Sequence, residues 1–169
     1  MVIEEKNQIL DNKSIRQKIK RIAYEIYERN FQENELVLAG VVGTGYIFAE
    51  LLYEQLNAIS PFNLQLAKIT LDKQAPLSGE VILDVDLSTM QNKTIIVVDD
   101  VLYTGRTFMQ SLKPFLAIEI KRIQTAVLIN RSHKMFPIAA DYVGYELSTT
   151  VKETIKVAFE EEKLAVFLY

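Results

Sequence analysis

The sequence predicts an α/β protein with a central, mainly parallel sheet flanked by helices, and three observations carry that expectation. Thr94 to Val98 is an unbroken run of β-branched residues, the composition of a strand covered on both faces. The run ends at Asp99 and Asp100, which marks the carboxyl edge of a sheet, because a charged pair cannot stay in an apolar core. Upstream, an apolar strand from Glu35 to Val42 passes through Gly43-Thr44-Gly45 into a helical stretch, Tyr46 to Leu56, giving the first half of a βαβ unit.

The remaining elements come in chain order. Ser14 is placed to cap a helix whose Ile15, Ile19, Ile22, Ala23 and Ile26 recur at helical spacing, with Arg16, Lys20 and Tyr24 off the stripe. Leu64 to Leu71 reads as a second strand. The polar segment Asp72 to Glu80, with Pro76 and Gly79, reads as a mobile loop. Val81 to Val85 is expected as a short edge strand. After the acidic pair, Phe108, Leu112, Phe115 and Leu116 suggest one face of a helix. Arg122 to Ile129 is another buried strand, and Tyr142 to Leu147, Ile155 to Phe159 and Leu164 to Tyr169 are short strands or cover segments.

Composition narrows the class. A chain of 169 residues fits one domain spanning 1–169, with 49% hydrophobic and 24% charged residues. It contains no cysteine, so a disulfide framework and a thiolate metal site are both excluded. No apolar run approaches the ~20 residues of a membrane span, and Glu4, Glu5 and Lys6 do not suit a signal peptide, so a cytoplasmic location without membrane contact is expected. The net charge of −3 gives no global attraction to nucleic acid, so RNA binding would need a local basic patch.

The acidic pair and the residues just after it suggest a sugar-phosphate site. Successive side chains of an extended chain point to opposite sides, so Asp99 and Asp100 can flank a ligand. Carboxylates accept hydrogen bonds only, which suits the vicinal hydroxyls of a ribose. Thr104-Gly105-Arg106-Thr107 then opens a helix, where free amides, a permissive glycine and two hydroxyls make a seat for a phosphate monoester. By itself the pair also fits a strand ending in solvent with Thr104 as a helix cap. It also fits a phosphoacceptor receiver domain, although receivers carry such a pair after their first strand and this one lies past the midpoint. Gly43-Thr44-Gly45 fails as a dinucleotide fingerprint because Phe48 stands where a third glycine is needed.

The stretch Asp99-Asp100-Val101-Leu102-Tyr103-Thr104-Gly105-Arg106-Thr107 resembles the phosphoribosyl-pyrophosphate (PRPP) signature of the type I phosphoribosyltransferases, in the wording of the PyrR group. Those are RNA-binding attenuators of pyrimidine operons that also carry uracil phosphoribosyltransferase activity. Colinear matches include Ile9-Leu10-Asp11, Arg21-Ile22-Ala23, Glu28-Arg29-Asn30, Asn130-Arg131-Ser132-His133 and Pro137 to Gly144. The resemblance implies the type I fold with a small hood, transfer of phosphoribose from PRPP to uracil to give UMP and pyrophosphate, and Mg²⁺ bound with PRPP. It implies that Asp99 and Asp100 hold the ribose and, indirectly, the metal, while Tyr103, Thr104, Gly105, Arg106 and Thr107 seat the 5′-phosphate. Gly43, Thr44 and Gly45 correspond to the pyrophosphate loop. Ile155, Lys156 and Val157 are similar to the hood segment that reads the base. A homodimer or larger homo-oligomer is implied as well.

Two departures bear on turnover. PyrR proteins usually carry Lys-Thr-Arg-Gly where this chain has Val42-Gly43-Thr44-Gly45, so two cations that would neutralise a leaving pyrophosphate are missing. Their mobile loop continues Ile-Thr-Leu with Tyr-Arg-Asp-Asp, whereas Ile69-Thr70-Leu71 here leads into Asp72-Lys73, leaving Lys73 as the candidate catalytic cation. For RNA, the chain keeps Arg21, Arg29, Arg131, His133 and Lys134 but has Tyr24 and Ala139 where a histidine and an arginine are common. Fewer phosphate contacts mean a smaller counterion-release contribution, so a nucleotide ranks ahead of RNA as the expected ligand.

Overall fold

The stripe Ile15, Ile19, Ile22, Ala23 and Ile26 is buried along one side of α1 (Asn12–Arg29) in the computed structural model, which describes residues 7–72, 79–131, 133–160 and 163–169. The helix starts earlier than the sequence suggested. Asp11 is its N-cap, and its carboxylate accepts the Ser14 amide at 2.8 Å, so Ser14 is a capped residue rather than the cap. Asp at this position satisfies one of the free amides of the first turn. Those hydrogen bonds hold the Asp11 carboxyl below its usual range.

A strand that the local sequence pattern did not announce, β1 (Asn7–Leu10), precedes α1. Then come β2 (Glu35–Val41), α2 (Thr44–Ile59), β3 (Asn63–Thr70), β4 (Ile82–Leu83), β5 (Thr94–Leu102), α3 (Arg106–Ser111), β6 (Arg122–Arg131), β7 (Tyr142–Leu147), β8 (Ile155–Glu160) and β9 (Lys163–Leu168). Six strands form the central sheet in the order β4-β3-β2-β5-β6-β7, parallel except for the edge strand β4. The remaining three form a separate antiparallel sheet, β1-β9-β8, which is the hood. Among the described residues no helix is long and apolar enough to cross a membrane.

Alternating residues of the central strands enter two different cores. Leu36, Leu38, Ile96 and Val98 pack with α1, α2 and the hood residues Val157, Leu164 and Val166. Val37, Ala39, Ile95 and Val97 pack on the other side with Phe108, Phe115 and Met90. Cover on both faces explains why these strands read as continuous apolar runs.

The helix expected after the acidic pair is shorter than its periodicity suggested. α3 ends at Ser111 and the chain continues as a 3₁₀ turn, Lys113–Ala117, with Pro114 in its first turn. Proline lacks an amide donor and turns the preceding residue away from α-geometry. Phe115 still reaches the core, but Leu116 is 76% exposed and does not belong to the buried face.

Candidate functional site

The register of the sheet places the two chain segments singled out by the sequence side by side. Gly40 of β2 pairs with Val98 of β5, so the turn after Val41 comes level with Asp99 and Asp100 at the carboxyl edge. In that turn the Gly43 carbonyl accepts the Tyr46 and Ile47 amides at 3.1 and 3.3 Å, which starts α2 at Thr44. The Thr44 hydroxyl donates to the Asp100 carboxylate.

Asp99 is 2% exposed, and a Cβ added to Gly45 would stand 2.5 Å from its Oδ1. Glycine at position 45 therefore lets the start of α2 close onto a carboxylate. Each acid also accepts a backbone amide from its successor, Asp100 N to Asp99 Oδ1 and Val101 N to Asp100 Oδ1, both at 2.9 Å. Of the two, Asp100 is the more accessible, being half-buried.

Past β5, residues 103–107 form the second part of the site. Gly105 has φ +87°, in the left-handed region, and a Cβ there would meet Ile138 Cγ2 at 2.6 Å. The Thr104 hydroxyl accepts the Arg106 amide at 3.3 Å, and its carbonyl accepts the amides of Met135 and Phe136 at 2.9 and 3.0 Å. The loop is thus backed by the segment after β6. Because α3 has only six residues, its axial dipole adds little, and an anion here would depend on loop amides, hydroxyls and the exposed Arg106. The Arg106 guanidinium lies 5.4 Å from the Phe136 ring centre.

The other candidates are spread between the hood and the surface around α1 and β6. Ile155, Lys156 and Val157 lie at the start of β8 in the hood, with Lys156 exposed and Val157 buried. Lys73 and Pro76, in the expected mobile loop, lie outside the described residues, as does Ser132. Arg21 donates to the Val143 and Gly144 carbonyls at 3.0 and 2.7 Å and pairs with Glu25 at 2.7 Å. Arg29 donates to the Asp141 carbonyl at 3.1 Å and stands 4.9 Å from the Tyr142 ring centre. Arg131 is buried beneath Tyr103, and Lys134 is exposed. Four of the five residues considered for RNA, Arg21, Arg29, Arg131 and His133, therefore hold internal contacts.

Sequence reasoning missed the turn at 149–153, where Thr149, Thr150 and Glu153 receive the Arg131 and His133 side chains. A cluster of Ser, Thr and Glu marks a turn but does not disclose its distant partners.

Comparison with known proteins gives a consistent placement. The phosphoribosyl transferase domain family matches residues 5–162. A bifunctional protein PyrR of Streptococcus agalactiae is 37% identical over 161 residues, covering 92% of this chain and 91% of that protein. Another, from Bacillus pumilus, is 36% identical and covers 94% of this chain and 93% of its own length. The hypoxanthine phosphoribosyltransferase of Trypanosoma cruzi matches with a TM-score of 0.77 at 19% identity, covering 95% of each chain, a likeness of fold.

Proposed function

The chain belongs to the phosphoribosyl transferase family, within its PyrR group, and from that premise we propose that it transfers the phosphoribosyl group of PRPP to uracil, giving UMP and pyrophosphate. The observation that carries this reading is the hydrogen bond from Thr44 to Asp100, which joins the pyrophosphate turn to the ribose-binding acids at one sheet edge.

Asp99 and Asp100 accept the ribose hydroxyls. Residues Tyr103 to Thr107 hold the 5′-phosphate with amides, hydroxyls and the Arg106 guanidinium. Thr44 and Gly45 present the start of α2 to the pyrophosphate, and Ile155, Lys156 and Val157 offer backbone groups to the base. In the reaction a pyrimidine nitrogen bonds to the anomeric carbon as the bond to pyrophosphate breaks, and the proton of that nitrogen passes to the departing pyrophosphate or to water. Charge separates between ring and leaving group, so groups fixed beforehand around both ends lower the barrier. Lys73 is proposed to add positive charge at the pyrophosphate end.

The paired carboxylates fit Mg²⁺ by donor chemistry, since that ion takes hard oxygen ligands and is commonly held by one or two carboxylates plus substrate phosphates. Among the described residues no group of three or more acidic or imidazole ligands forms a cage, so the fit is to an ion arriving with PRPP. Asp99 and Asp100 would hold it through the ribose hydroxyls, and when bound it would neutralise charge on the departing pyrophosphate.

A second reading is favoured by one observation, the absence of Lys and Arg from residues 42–45. Removing preorganised charge from a leaving-group site typically costs ~10²-fold in rate or more. That outcome would leave a nucleotide sensor that acts on RNA with little turnover. Calorimetry with PRPP and UMP, alongside pyrophosphate release with uracil, other pyrimidines and purines, separates the two. Release with uracil supports the transferase. Tight binding with no release from any base supports the sensor, and no binding of either ligand removes both.

A further inference from the structure

Arg131 ends β6 with only 5% of its surface exposed. A guanidinium cannot lose its proton, so burial is tolerable only where its donors and its faces are occupied. Here the two directions of the side chain are occupied by different parts of the proposed site. The guanidinium carbon lies 4.0 Å from the Tyr103 ring centre, and Tyr103 is the first residue of the 5′-phosphate loop. The nitrogens reach the other way. Nε donates to Thr149 Oγ1 at 2.6 Å, and one terminal nitrogen donates to the Glu153 carbonyl at 2.5 Å and the Thr150 carbonyl at 3.3 Å.

Residues 149–153 form the turn that delivers the chain into β8, where Ile155, Lys156 and Val157 begin the proposed base strand. The turn is also closed on itself, because the Glu153 carboxylate accepts the Thr150 amide at 2.6 Å. His133 repeats the link between loop and turn. Its Nε2 lies 2.7 Å from the Thr149 carbonyl and must donate, since a carbonyl only accepts. Its ring stands edge-on to Tyr103 with centres 5.7 Å apart.

We infer that Arg131 is a positioning residue that joins the 5′-phosphate loop to the base strand, so that a phosphate bound in the loop sets the affinity for the base. The inference rests on the proposed function, because it needs those two segments to hold two ends of one nucleotide. The chemistry requires arginine. A planar fork can stack on an aromatic ring while bonding in its own plane, whereas the compact ammonium of lysine cannot do both. Pure packing predicts a different pattern, in which losing the side chain weakens both ends alike.

The test is calorimetric titration of uracil into the protein, with and without saturating ribose 5-phosphate, for the unaltered chain, Arg131→Lys and Thr149→Val. The last of these is nearly isosteric, keeps the arginine and removes only the acceptor of its Nε while the Thr150 and Glu153 carbonyls stay bound, so it keeps the test decisive if Arg131→Lys fails to fold. Ribose 5-phosphate is expected to strengthen uracil binding by about tenfold, within the usual range of coupling between sites. Both variants should lose most of that enhancement while binding ribose 5-phosphate alone within about twofold of the unaltered chain. In turnover the same variants should raise the KM for uracil and leave that for PRPP unchanged. Enhancement retained in the variants, or equal weakening of both ligands, overturns the inference. Failure of the unaltered chain to bind ribose 5-phosphate removes the proposed function, and this inference with it.

Discussion

Thr44 donates its hydroxyl to the Asp100 carboxylate, joining two residues 56 positions apart in the chain. The bond fixes the proposed pyrophosphate turn against the acidic pair. A hydrogen bond to a charged group contributes roughly 1.5–3 kcal/mol, and the loss is felt most where the partner has little water to replace it. Asp100 is half-buried, which puts this bond toward the lower end of that range.

Thr44→Val is therefore expected to weaken PRPP binding about tenfold, a change of roughly 1.4 kcal/mol, while Thr44→Ser stays within about twofold because the hydroxyl remains. Calorimetry with PRPP checks both. Equal affinity for the valine variant and the unaltered chain would show that the tether does not organise the site.

Gly45→Ala tests the closeness of α2 to the acids. The new methyl would stand 2.5 Å from Asp99 Oδ1 and 3.1 Å from Asp99 Cα, so the acid cannot relieve the clash by a side-chain rotation alone. Overpacking of this kind costs about 1–3 kcal/mol and moves the helix start or the strand end. Thermal denaturation should show the destabilisation, and ribose 5-phosphate affinity should fall more than the stability of the folded state explains. An unchanged affinity would place the ribose elsewhere.

Gly105→Ala tests the proposed phosphate loop by another mechanism. At φ +87° an L-residue carries a steric penalty of roughly 1–2 kcal/mol, and here the added carbon also meets Ile138 Cγ2 at 2.6 Å. The predicted result is weaker binding of ribose 5-phosphate with little change for uracil alone. The double variant Gly105→Ala/Ile138→Ala removes the side-chain clash but not the backbone strain. It should recover part of the lost affinity and not all of it.

The parts of this fold that were legible in the sequence are those written in local periodicity. The α1 stripe from Ile15 to Ile26, the β-branched run before Asp99 and the glycine turn before α2 each state their structure within one segment. Errors arose where two local signals competed. Ser14 is a good cap residue, but Asp11 stands in the extended conformation that a cap requires, and the helix begins there. Leu116 matched a helical face that Pro114 had already interrupted. Long-range pairings were not legible at all. Four residues, Asn7–Leu10, are too few to announce a strand, and β1 exists because β9 offers it an edge. The same holds for Arg131. Its motif position suggested a surface cation for RNA, whereas its partners lie 18 to 22 residues away in a turn with no distinctive pattern.

Glu153 gives a prediction in pH. Its carboxylate accepts the Thr150 backbone amide at 2.6 Å, and this bond is the main cause holding its pKa below the ordinary 4.5. A carboxyl whose folded pKa is depressed contributes stability that is fully present above the unfolded value and is lost as pH falls through the folded one. The contribution should therefore be complete at neutral pH, begin to decline below about 4.5 and vanish in stronger acid. Asp11 and Asp86 are depressed in the same direction, so the acid limb of the unaltered chain is shared and only a difference measurement isolates Glu153. Denaturant unfolding of the unaltered chain and Glu153→Gln across pH 3 to 7 provides that difference. The variant should be the less stable at pH 7, and the two curves should converge on acidification. A gap that persists unchanged to the acid end would mean that the Glu153 carboxylate does not hold this turn through its charge.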